Sequence, residues 1–202
     1  MMQTCFRVVA ISLGIALASV RTPGAMLRPV QDRGIQGTIE ASRRMADGKL
    51  WTRANLDLDI GESYCYGDAE LNCRRYGRLY TWEAAERGCR SLGNGWRLPT
   101  DRDWRQMASH YGGVFDDADD RGRAAFRTLL IGGGSGFDAL LGGGRGVDGE
   151  YDDLEGHGFY WTASEGGTST AWFYNFAQGS LSLYRQSEGE KAMALSVRCV
   201  QE

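Results

Sequence analysis

The sequence predicts one α+β domain, with two to three helices packed on small antiparallel sheets and a long irregular glycine-rich loop. Three observations carry this reading. Two segments with apolar residues at helical spacing each follow a threonine placed to cap them. Four short strand-like runs follow one another towards the C-terminal end. Between Gly132 and Gly158 regular periodicity disappears, and the glycine runs 132–134 and 142–144 bracket GFDALL. The chain has 202 residues, of which 42% are hydrophobic and 11% aromatic, enough for one cored domain with an appendage. Its 29 glycines are about twice the usual ~7%. A net charge of -3 gives no electrostatic basis for nucleic-acid binding, which calls for a basic patch or stripe.

Residues 1–25 read as a secretory signal peptide. Arg7 supplies the positive start, Val8–Val20 is uncharged and apolar, and Ala16-Leu17-Ala18 and Ala25 offer cleavage points. The apolar run is shorter than the about 20 residues of a membrane span, and no later segment can cross a bilayer. Residues 26–47 carry scattered charge without periodicity and read as a linker or loosely packed arm. The domain is then expected over residues 48–202, in a secreted, periplasmic or cell-envelope protein.

Within it, Leu50, Thr52, Ala54 and Leu56 alternate with Trp51, Arg53 and Asn55, as on a strand. Thr81 precedes Trp82, Ala85, Cys89 and Leu92 at helical spacing, and Gly93-Asn94-Gly95 ends that helix. Trp96-Arg97-Leu98-Pro99 is extended, since proline turns its predecessor away from the helical region. Thr100 with Asp103 forms a short-armed capping box for a helix burying Trp104, Met107, Ala108 and Tyr111. A third helix spans Arg121 to Ile131, with Ala125, Leu129 and either Phe126 or Leu130 inward. The strand-like runs are Phe159–Ala163, Ala171–Phe176, Ser180–Gln186 and Met193–Val200, with a hairpin turn at Gln178-Gly179.

Once Cys5 leaves with the signal, four cysteines remain, an even number that favours two disulfides in an oxidising compartment. Three connectivities are open. Cys65 and Cys73 flank YGDAELN, whose glycine and asparagine suit a tight loop, and that choice leaves Cys89 with Cys199. The spacings and the two histidines make a poor zinc site.

The blocks GKLWTRANLDL, SYCYGDAELNCRRYGRLYTWEAAERGC, GWRLPTDRDW, GFDALLGGGRGVDGEY, FYWTASE and SVRCVQE follow in order from about Gly48 to Val200. Together they resemble the Fibrobacter succinogenes major paralogous domain. The resemblance implies an extracellular or envelope domain with a C-type-lectin-like fold. It also implies pairing of Cys89, at the end of a helix, with Cys199 in the closing strand. It brings no general activity with it. The Glu-Pro-Asn or Gln-Pro-Asp loop and Trp-Asn-Asp strand of calcium-dependent lectins are both missing, so that mode of sugar binding does not carry over. RLPTDRDW and VRCV also resemble the formylglycine-generating, sulfatase-modifying enzymes. Those use a cysteine pair near the C-terminus, where this chain has Cys199 alone.

Candidate chemistry is sparse. Asp116, Asp117, Asp119 and Asp120 read as solvated loop charge. Asp148, Glu150, Asp152 and Asp153 stand among glycines, where they can offer oxygen ligands to calcium or contact a ligand. Trp172, Tyr174, Phe176 and Tyr184 alternate along a hairpin, so some of them are expected outward as a binding surface. His110 reads as a surface or capping residue and His157 as exposed. No nucleophile motif or phosphate loop occurs. The reading is a non-catalytic module that binds an extracellular glycan or protein through Asp148, Tyr151, Asp152, Trp172 and Tyr174, with no required cofactor. An envelope assembly subunit is the alternative, and an enzyme on the formylglycine-generating-like scaffold the third.

Overall fold

The computed structural model describes residues 42–202. The signal-peptide reading of residues 1–25, and the arm reading as far as residue 41, lie outside the described residues. Residues 42–47 are not loose. Ser42–Arg44 forms strand β1, pairing antiparallel with β2 (Leu50–Thr52), and Met45 is buried in the core between them.

β3 (Ser63–Tyr64) and β4 (Leu79–Tyr80) pair antiparallel around a 3-10 turn at Tyr66–Asp68 and a helix α1 (Glu70–Tyr76). That helix replaces the tight loop expected between Cys65 and Cys73. The turn takes up Gly67 at positive φ, while Asn72 lies in α1 and donates to the Tyr66 carbonyl. Both disulfides are present, Cys65–Cys73 and Cys89–Cys199. With α2 (Trp82–Ser91), α3 (Asp101–Ser109) and α4 (Arg123–Leu129), the described residues hold four helices instead of two or three.

Thr100 caps α3 as expected. Its hydroxyl accepts from the Asp103 amide, and the Asp103 carboxylate accepts from the Thr100 amide at 2.8 Å. Thr81 holds the equivalent place before α2 with extended backbone, yet its hydroxyl makes no cap bond. α4 turns Ala125, Phe126 and Leu129 inward.

The glycine-rich region is only half irregular. Gly142–Arg145 is a strand, β5, and Tyr151–Leu154 is its antiparallel partner β6. Periodicity fails there because the glycines are wedged beneath their neighbours. A Cβ on Gly144 would stand 3.2 Å from Leu195 and 3.3 Å from Phe159. On Gly143, with φ at +65°, it would stand 2.5 Å from the Asp152 carbonyl oxygen. Side chains that announce a strand are excluded by the packing that makes it one.

β7 (His157–Glu165), β8 (Thr170–Ala177) and β9 (Ser182–Glu190) complete a five-stranded sheet of order β6-β5-β7-β8-β9, in which only β5 and β7 are parallel. The β8–β9 turn occupies Gln178–Leu181. Core lies on both faces. Tyr160, Tyr174 and Phe176 join Trp51, Trp104 and Phe137 on one side; Trp161 and Phe173 join Trp82, Trp96 and the Cys89–Cys199 bridge on the other. Strand alternation sends neighbouring aromatics to opposite cores.

The strand-like run over residues 193–200 is a strand only at its end, from Val200. Ala194 through Val200 are all buried. Their backbone bridges in turn to Arg145, Tyr80, Tyr160 and Arg97, and Val200–Gln201 forms β10 on β2. The expected strand over residues 50–56 likewise ends at Thr52, and the amides of Thr52 and Leu56 donate instead to the carbonyls of Cys199 and Val197. Arg198 is wholly buried. Its guanidinium donates to Asn55 Oδ1 at 2.6 Å and to the carbonyls of Thr52, Phe137 and Asp138 at 2.6–2.8 Å, and lies over the Phe137 ring.

Candidate functional site

A cleft of about 550 Å³ opens where the β5–β6 hairpin, the β7–β8 turn and the start of α2 converge. Tyr64, Thr81, Glu83, Arg145, Val147, Ser169, Glu190 and Lys191 are among its lining residues. Arg145 is fixed at its inner end. Its backbone exchanges two 2.9 Å hydrogen bonds with Ala194, and its guanidinium lies 4.2 Å from the Tyr64 ring centroid and 5.6 Å from that of Tyr151. Tyr151 is braced in turn by the Tyr66 ring at 5.2 Å and by donating to Asp68 at 2.6 Å. Burial and the Asp68 carboxylate push its phenol pKa up, so it stays a donor.

On the opposite wall, Lys191 lies over the Trp82 ring and pairs with Glu165 at 3.0 Å. Glu62 pairs with Arg87, whereas Glu83 and Glu190 have no cation partner among the described residues. Two lining side chains carry polar atoms that are buried yet make no hydrogen bond: Thr81 Oγ1 and Arg145 Nε. Buried polar atoms are paired in the great majority of cases; Trp104 Nε1 and Ser196 Oγ are unpartnered as well, and neither residue lines the cleft.

Of the residues singled out from sequence, Asp148 and Tyr151 belong to this hairpin. Asp148 accepts from the Glu150 amide at 3.1 Å, which shapes the turn, and Tyr151 props Arg145. Asp152 is exposed on β6, opposite Gly144. Trp172 and Tyr174 lie elsewhere, against α3. Trp172 is half-buried with the Arg185 guanidinium 3.6 Å above its ring. Tyr174 as a surface contact is corrected: it is fully buried, stacked on Trp104 at 4.9 Å, and its hydroxyl meets Asp101, which also grips Arg185. A helix covers that face of the hairpin, so the ladder expected to lie outward is core at Tyr174 and Phe176. Thr81, Arg145 and Tyr64 were missed, because their surroundings come from segments far apart in the chain.

Among the described residues, no three carboxylate, thiol or imidazole side chains converge as a metal site. Asp117 is spent on Arg105 and Asp120 on the Ala124 amide. His157 Nδ1 bonds the Asn175 amide oxygen at 2.9 Å, not a carboxylate, so it is not oriented as in a Ser-His-Asp triad. Among the described residues no helix is long and apolar enough to cross a membrane, and the two disulfides fit an extracellular or envelope protein.

No curated protein and no solved structure matches the chain. The model of the Fibrobacter succinogenes major domain matches residues 40–201. That span runs from just before β1 into β10 and takes in both disulfides and the whole cleft. The chain belongs to the Fibrobacter succinogenes major domain family.

Proposed function

We propose that the protein is a secreted or envelope-located binding module without catalysis, engaging an extracellular glycan or protein through the cleft beside the β5–β6 hairpin. The observation that supports this is the pair of unpartnered buried polar atoms, Thr81 Oγ1 and Arg145 Nε, on the wall of a polar cleft. Hydroxyl-rich or carboxylate-bearing ligands supply the missing partners. The Tyr64 ring and the unpaired Glu83 and Glu190 add an apolar face and acceptors, the mixture on which sugar and peptide recognition rests. The five residues first singled out reduce, on this reading, to Tyr151 and Asp148 as supports of the cleft.

The test is a glycan and surface-protein array probed with the full chain, with and without calcium, and repeated with Thr81→Val and Tyr151→Ala. A ligand whose binding falls about tenfold in Thr81→Val, while the thermal midpoint stays put, supports the reading. Binding unaffected by both variants removes the cleft from it. The export part is tested by N-terminal sequencing of the protein recovered outside the cytoplasm; an intact residue 1 would overturn it. The alternative, an envelope assembly subunit, would have to dock through surface other than Tyr174 and Phe176, which are buried.

A further inference from the structure

At the other end of β8 from the cleft, three arginines line one groove with no ion-pair partner among the described residues. Arg121, Arg123 and Arg127 line a groove of about 440 Å³ with Phe115, Ser180, Leu181, Ser182 and Tyr184. None of the three forms an ion pair with any described carboxylate; Arg121 lies over the Phe115 ring, 5.8 Å from its centroid. Arg123 and Arg127 are four residues apart on α4, where like charges repel. The chain has 26 acidic residues with which to relieve that repulsion. The nearest in sequence are turned to other work, Asp117 to Arg105 and Asp120 to the Ala124 amide. Asp116 and Asp119 are exposed and do not line the groove.

The backbone beneath the arginines is tied to the sheet. Gly122 has φ at +72°, and a Cβ there would stand 2.8 Å from the Leu183 carbonyl and 2.9 Å from the Phe115 amide. That close approach ties the segment before α4 to β9, with Phe115 donating to Leu183 at 2.8 Å and Leu183 to Gly122 at 3.3 Å. Phe115 then stacks on Tyr184 at 4.5 Å. Tyr184 is shared. It also lines a second hollow of about 370 Å³ with His157, Asn175, Ser180 and Gln186. There Asn175 donates to Gln186 at 3.2 Å and accepts from His157 Nδ1. These bonds use neither His157 Nε2 nor the Gln186 amide nitrogen, which leaves both for a ligand. A half-buried aromatic ring is thus flanked by cations on one side and by a hydroxyl-reading amide and imidazole on the other.

We propose that this surface, independently of the cleft, binds an anionic glycan, whose sulfate or carboxylate groups pair with Arg121, Arg123 and Arg127 and whose sugar ring lies on Tyr184 beside Gln186. Guanidinium forks fit either oxyanion bidentately. An acidic peptide would satisfy the arginines and Gln186 alike, but an acidic side chain brings no ring to lay on Tyr184, which both hollows share, and for that reason a sugar is favoured.

The test titrates the full chain with a heparin-type sulfated oligosaccharide, an oligogalacturonate, a neutral oligosaccharide of matched length and poly-glutamate. The expected result is binding to one or both anionic sugars that weakens with salt. Arg123→Ser and Arg127→Ser should each weaken it roughly tenfold, and Gln186→Ala about threefold. The arginines are exposed, so both variants should melt with wild type. The two sugar arms separate sulfate from carboxylate. Equal binding to poly-glutamate, or anionic-sugar binding unmoved by the arginine variants, would overturn the proposal. So would binding to none of the four. Thr81→Val should leave this binding intact, so the result is separable from that of the cleft.

Discussion

Asp103 shows how much one carboxylate can hold. It is nearly buried, completes the α3 capping box, and accepts from Arg97 at 2.6 Å and from Lys49. Burial pushes its pKa up, but the bonds from Arg97, Lys49 and Thr100 outweigh that and hold it well below the usual carboxylate range. A carboxyl whose pKa is lowered on folding stabilises fully above its unfolded value of about 3.9, and that stability is lost as pH falls through the lower folded value. Asp103→Asn is therefore expected to cost roughly 2–4 kcal/mol at neutral pH, and the gap from wild type to narrow in acid below about pH 4. Urea unfolding at a series of pH values measures both. Thr100→Ala should cost about 1 kcal/mol and Thr81→Val almost nothing, since only the first hydroxyl caps a helix. Thr100 and Asp103 were legible because the whole interaction lies within four residues. Arg198 was not, because its acceptors come from residues 52, 55, 137 and 138. Arg198→Lys cannot reach all four from one ammonium and should cost about 3 kcal/mol.

At the scale of elements, β5 is the instructive one. Alanine at Gly143 would meet the Asp152 carbonyl and hold an unfavourable positive φ, whereas Gly179 in the β8–β9 turn has open space around it. Gly143→Ala is expected to lower stability by roughly 2–3 kcal/mol and Gly179→Ala by under about 0.5, as read by thermal melts of the two variants. Helices α2, α3 and α4 declared themselves through apolar spacing and flanking glycines. β5 and α1 did not, one lacking side chains to form a pattern and the other being too short and polar to show a stripe. The face of β8 was misjudged for a related reason. Alternation says that Trp172 and Tyr174 share a side, but only the packing of α3 says that this side is closed.

For the whole molecule, the two bridges differ in reach. Cys89–Cys199 spans 110 residues and Cys65–Cys73 spans 8. In the chain-entropy model these are worth roughly 4–5 and roughly 2–3 kcal/mol respectively. Paired alanine replacement at 89 and 199 should thus lower the denaturation midpoint about twice as far as replacement at 65 and 73. The α+β class and the family were legible from ordered blocks spread over the domain, and the hairpin half of the cleft from its glycines and acids. The other half depends on Thr81 and Lys191 meeting Arg145 through the chain's return along residues 191–195, a contact no local pattern encodes.

That return has a consequence in time. Residues 193–200 contact the β1–β2 sheet, β4, β5, β7 and the segment before α3, and they carry both Arg198 and Cys199. They are also made after everything they join. A chain growing from its N-terminus can form α2 and α3 early, yet it has no means of locking its layers until this final segment arrives, so closure is set by long-range pairing and is slow. A polypeptide whose synthesis has not yet passed residue 200 therefore lacks the buried Arg198 guanidinium, the Cys89–Cys199 bridge and the β2–β10 pairing all at once, and stays open for that interval.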